Sequence, residues 1–120
     1  MNLEGVRVLL VEDEAIIAMT AEDMLEELGC TAAATASSLA EALAFAQEPA
    51  RFDVALLDIN LNGQQSLPVA ALLRAAGTPF VFTTGYGAAG SGADYADVPL
   101  ITKPYQIGDL EAAIRQALER

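Results

Sequence analysis

The chain has 120 residues, 53% of them hydrophobic, and carries seventeen acidic against six basic side chains for a net charge of −11. That length gives one domain, 1–120, with enough apolar content to build a core without staples, and the single cysteine, Cys30, excludes an internal disulfide. No basic footprint for nucleic acid, no membrane-span run and no basic leader are present, so a soluble cytosolic protein engaging neither nucleic acid nor membrane is expected.

In chain order the pattern alternates strand and helix five times. Val6–Val11 is a β-branched and leucine run. Over Glu14–Leu28, residues Ile17, Ala21, Met24, Leu25 and Leu28 recur at helical spacing. Gly29 is the expected C-cap, and Cys30 lies in an apolar, alanine-rich stretch that predicts a buried structural thiol. Thr31–Ala36 is a weak strand by propensity, assigned from its place in the order. Ser38 and Glu41 form a capping-box pattern that opens a helix to about Gln47. Asp53–Leu57 is a buried strand, and Ser66, Pro68 and Gly77 bracket a third helix as cap, first-turn proline and stop. Pro79–Thr83 is the fourth strand. Gly85–Asp97 then holds four of the nine glycines and no large aliphatic residue, so the helix due there is expected to be short, irregular or mobile. Val98–Thr102 is the fifth strand, followed by a helix over roughly Gln106–Arg120 with the stripe Ile107, Leu110, Ile114 and Leu118. Right-handed crossovers between parallel strands make this a three-layer α/β sandwich.

Glu12, Asp13, Asp58, Thr84 and Lys103 fall at or just beyond the ends of four of these strands. Ligands bind outside the carboxyl ends of strands in open parallel sheets, so three carboxylates, a hydroxyl and a lysine meet on one rim. Crowded carboxylates require a cation or protonation, and a hard divalent ion beside a phosphoryl group meets that need, with lysine pairing the phosphoryl oxygens. Helix capping explains one member of the Glu12–Asp13 pair but not both. Lys103 is the only lysine, and there is no histidine to serve as base or phosphocarrier.

Other readings are weaker. Gly85-Tyr86-Gly87-Ala88-Ala89-Gly90 spells a dinucleotide fingerprint, but it follows the fourth strand and not the first. An aspartate-nucleophile hydrolase places its nucleophile after the first strand, whereas the nearest match here is Asp58-Ile59-Asn60.

With the acidic pair, Asp58, Thr84 and Lys103-Pro104 in order on a five-fold βα pattern, the chain resembles the receiver domain of two-component response regulators. The match covers essentially the whole sequence. It implies a doubly wound, flavodoxin-like five-stranded parallel sheet of order 2-1-3-4-5. It also implies that Asp58 accepts a phosphoryl group in a Mg²⁺-dependent reaction. Asp13, Asp58 and the Asn60 carbonyl would ligate Mg²⁺, Glu12 through water, and Thr84 and Lys103 would contact the phosphoryl group. The family commonly has a cis Lys–Pro peptide. The implied protein is not a conventional enzyme but a phosphoacceptor that catalyses its own phosphoryl transfer and dephosphorylation. Its partners would be a histidine kinase or histidine phosphotransferase and a downstream protein. The stretch Pro79-Phe80-Val81-Phe82-Thr83-Thr84-Gly85-Tyr86 is similar to the alphaproteobacterial branch with a Phe-Ala-Thr-Gly-Tyr motif, with Thr83 replacing alanine. Leu100 stands where most receivers carry a switch aromatic, a departure shared by that branch. A phosphorylation-independent interaction module on the same fold is the alternative, and a stand-alone protein and an excised domain both fit.

Overall fold

The computed structural model describes residues 3–85 and 93–119. The central sheet holds β1 (Arg7–Val11), β2 (Thr31–Ala36), β3 (Val54–Asp58), β6 (Phe80–Thr84) and β7 (Leu100–Thr102), all parallel, in the order β2-β1-β3-β6-β7. A short antiparallel hairpin, β4 (Asn60–Leu61) with β5 (Gln64–Gln65), follows β3 and raises the later strand numbers by two. Apart from that renumbering, the order is the expected one. The helices are α1 (Ala15–Glu27), α2 (Leu39–Ala46), α3 (Leu67–Ala76) and α4 (Ile107–Leu118). Among the described residues no helix is long and apolar enough to cross a membrane.

The period of two along each strand divides the core into two layers. Leu9, Val11, Ala55, Leu57, Phe80 and Phe82 face α2 and α3, while Val8, Leu10, Val54, Leu56 and Val81 face α1 and α4. Both faces of the inner strands are covered, which is why they read as unbroken apolar runs. The alanine-rich β2 is half exposed and lies at an edge, so pairing with β1 and not propensity makes it a strand.

Several local expectations change in detail. Asp58 and Thr84 are the last residues of their strands and not the first beyond them. The C-cap of α1 is Leu28, with Gly29 just after it at φ +89°. A Cβ on Gly29 would meet Glu4 Oε2, the movable end of a side chain, so the positive φ is the constraint that calls for glycine. Ser38 Oγ accepts the Glu41 N–H, but Glu41 Oε1 accepts from Ser37 N and Oγ, so the box closes one residue early. Ser66 precedes α3 without a side-chain cap bond. The Cys30 thiol is buried, donates towards Leu3 O at 3.7 Å, and has its pKa raised by burial.

Most of the Gly85–Asp97 expectation lies outside the described residues. What is described includes a 3-10 turn, Ala93–Tyr95, and this part is firmly anchored. Tyr95 packs edge-on against Phe82 and Phe80 at 5.5 and 6.1 Å between centroids. Arg74 of α3 lies 4.9 Å over the Tyr95 ring, donates to Asp94 O, and pairs with both Asp97 oxygens at 3.0 Å. A reading based on aliphatic content missed the aromatic anchor.

Candidate functional site

The order β2-β1-β3 places the topological switch point between β1 and β3, and the crevice opens where their carboxyl ends diverge. Glu12 and Asp13 leave β1 there, and Asp58 ends the neighbouring β3. Oxygens of these three carboxylates lie within 4.8 Å of one another. Lys103 arrives from the end of β7. Its Nζ donates to Asp58 Oδ2 at 2.8 Å and to Glu12 Oε1 and Oε2 at 3.1 and 3.4 Å. The Lys103–Pro104 peptide is cis, as expected.

Backbone donors hold the carboxylates in place. Glu14 N–H donates to Glu12 Oε2 at 3.1 Å, so Glu12 also satisfies the start of α1. Asn60 N–H donates to Asp58 Oδ1 at 3.3 Å, and Asn62 N–H to Asp13 Oδ2 at 3.0 Å. Thr84 is buried at the end of β6, and its carbonyl accepts the Lys103 N–H at 2.7 Å, tying those two residues together through the backbone. Asp58 lies opposite Thr83, so Thr84 sits one position further along the rim.

The electrostatics follow from burial. Glu12 is only 3% exposed and its pKa rises to about 7, chiefly through desolvation, with the Asp58 charge adding to it. Burial also raises Asp58 despite its bond from Lys103. Burial would raise Asp13 as well, but the Asn62 N–H helps bring it below the usual carboxylate value. Lys103 is penalised by burial, yet its bonds to Asp58 and Glu12 raise it and keep it charged. One lysine thus compensates three carboxylates incompletely. The set consists of hard oxygen donors, and the group Glu12, Asp13 and Asp58 could hold a small divalent cation.

A cavity of about 470 Å³ opens beside the cluster, with Asp13, Asp58, Asn60, Gly85 and Lys103 at its polar end. Ile17, Thr20 and Met24 of α1 together with Pro104 and Tyr105 form its apolar end. The Tyr105 hydroxyl is pushed up to about 12 by burial and the nearby Glu12 charge. Ile16 and Met19, on the adjoining surface of α1, are 80% and 62% exposed.

Sequence reasoning thus brought Glu12, Asp13, Asp58 and Lys103 to one place, with Asn60 at the cavity and Thr84 at the adjoining strand end. It passed over Asn62 and Gly63, whose dipeptide is a hairpin-turn signal, and Tyr105 as part of the cavity wall.

Residues 8–115 match the family described as the response regulator receiver domain. The chain is 36% identical over 114 residues to the phyllosphere-induced regulator PhyR of Methylorubrum extorquens, covering 92% of this chain and 43% of that protein. It therefore spans less than half the length of that curated relative. The solution structure of SdrG from Sphingomonas melonis Fr1 superposes with a TM-score of 0.85 at 38% identity, over 98% of this chain and 99% of that one. The beryllofluoride-activated conformation of SdrG from Pseudomonas melonis Fr1 superposes with a TM-score of 0.79 at 38% identity, over 93% of this chain and 95% of that one. The match to the family runs through both ends of the acidic crevice, and the chain belongs to the response regulator receiver domain family.

Proposed function

We propose that this receiver accepts a phosphoryl group on Asp58 from a phosphohistidine donor and passes the change to a protein partner. The observation that carries the reading is the buried Asp58–Lys103 contact of 2.8 Å inside a three-carboxylate crevice that opens onto a cavity. Asp58 Oδ attacks phosphorus, the P–N bond of the donor breaks, and its electron pair leaves on the imidazole nitrogen, giving an acyl phosphate. The chain has no histidine, so the donor is external: a histidine kinase or histidine phosphotransferase.

Such a transfer needs alignment and charge neutralisation more than covalent help. A bound Mg²⁺ supplies positive charge to the transferring oxygens; Asp13, Asp58 and the Asn60 carbonyl would hold it, Glu12 through water. Lys103 exchanges its bond to Asp58 for one to a phosphoryl oxygen, and the Thr84 hydroxyl donates to another. The receiver thus catalyses its own phosphorylation and dephosphorylation and is not an enzyme acting on a separate substrate. The apolar wall of Ile17, Met24 and Tyr105, with exposed Ile16 and Met19 beside it, offers the donor protein a docking face next to Asp58.

Amide spectra recorded with Mg²⁺ and beryllofluoride, a phosphoryl mimic, test this reading. Shifts centred on Asp58, Thr84 and Lys103, absent in Asp58→Asn, are expected. Unchanged spectra would leave a phosphorylation-independent interaction module.

A further inference from the structure

The hairpin after β3 reaches the crevice through backbone groups. Asn62 and Gly63 form its two-residue tip, with φ of +53° and +84°, both in the left-handed region of a type I′ turn. Three N–H groups point back at side chains of the site: Asn60 N to Asp58 Oδ1, Asn62 N to Asp13 Oδ2 at 3.0 Å, and Gly63 N to Asn60 Oδ1 at 3.0 Å. The bond to Asp13 joins residues 49 apart in sequence and ties the β1–α1 loop to the β3–α3 loop across the crevice.

Asp13 needs such a tie. It is only partly buried and faces Glu12 and Asp58 at close range, so like-charge repulsion favours turning its carboxylate outward to water. We propose that the Asn62–Gly63 turn is a positioning element for the divalent cation, with the Asn62 N–H holding the Asp13 carboxylate at the crevice before the ion arrives. The inference rests on the metal-binding reading above and deepens it. One N–H occupies one of about four lone-pair positions on the carboxylate, leaving the others for the ion. A carboxylate already in place loses less freedom on binding. The turn is suited to this because asparagine and glycine both tolerate positive φ, whereas a β-branched residue does not. The tip itself is exposed, while Leu61 beneath it is fully buried and anchors the hairpin.

Calorimetric Mg²⁺ titration of the unphosphorylated protein tests the proposal, alongside melting temperatures of each metal-free variant. Asn62→Val, which strains the turn, should weaken Mg²⁺ binding about tenfold, in line with loss of a hydrogen bond to a charged group. Asn62→Ala, a milder strain, should fall between Asn62→Val and wild type and decides the matter if the valine variant does not fold. Asn62→Gly keeps the N–H and permits positive φ, so it should bind within about twofold of wild type. Wild-type affinity in Asn62→Val or Asn62→Ala, even with a lowered melting temperature, would make the turn merely structural and overturn the proposal. Equal weakening in Asn62→Gly and Asn62→Val would also overturn it, since the backbone donor would not be the cause. A wild-type protein with no Mg²⁺ affinity would remove the metal site and the positioning role together.

Discussion

Glu12 and Lys103 set the resting charge of the crevice. The Glu12 carboxyl rises from its ordinary 4.5 to about 7 because it is desolvated. Between those values the folded protein binds more protons than the unfolded chain, so this group makes metal-free stability fall as pH rises through that window. The lowered Asp13 works in the opposite sense, its contribution fading as pH drops below the ordinary carboxylate value. Melting temperatures at pH 5 and pH 7.5, with and without Mg²⁺, should show the ion's stabilisation growing with pH as Glu12 loses its proton. A Glu12→Gln variant should lose most of that growth, and an unchanged pH dependence would count against Glu12 as the titrating group. Lys103 makes a different prediction. Removing it takes the positive charge from the transferring phosphoryl group, and Lys103→Ala should slow phosphorylation by a small-molecule donor about a hundredfold. Lys103→Arg should retain more activity, though a planar guanidinium is not an equivalent point charge. A time course of acyl phosphate formation checks both. These residues were legible in the sequence because strand ends in a parallel sheet converge. Asn62 was not, because its part is played by a backbone N–H that any residue type carries.

The loops and caps explain which elements could be read in advance. β1, β3 and β6 announce themselves because both their faces are buried, whereas β2 has little apolar signal and depends on its neighbour. The hairpin of β4 and β5 was missed because two-residue strands carry no periodicity, although Asn62-Gly63 marked its turn. Gly29 shows how tightly one turn is specified: Gly29→Ala should cost about 1–2 kcal/mol through its left-handed backbone alone, measurable by urea unfolding. Arg74 sets the other constraint by gripping Tyr95, Asp94 and Asp97 at the start of the chain into β7. The ion pair is about half exposed, so Arg74→Ala should cost only about 1–2 kcal/mol from the pair and the ring contact together. Its sharper signature is local. The Val98 amide, bonded to Tyr95 O at 3.0 Å, should exchange with deuterium faster in the variant while β1 and β3 stay protected.

At the scale of the molecule, the doubly wound order forces the crevice to lie where β1 and β3 part, and everything chemical gathers there. The packing layers below it hold that rim: buried Leu10, Val11, Leu56 and Leu57 fix the strand ends from both faces. Under the proposed function, docking of a donor and handling of the phosphoryl group would share one opening, the cavity from Asp58 to Tyr105. The central claim is that this opening leads to a phosphoacceptor, and intact mass measurement after incubation with a small phosphodonor addresses it most directly. The account predicts a single phosphoryl addition to the wild-type protein that requires Mg²⁺ and is absent in Asp58→Asn. An addition that persists in Asp58→Asn, or that forms equally well with all divalent ions removed, would contradict it.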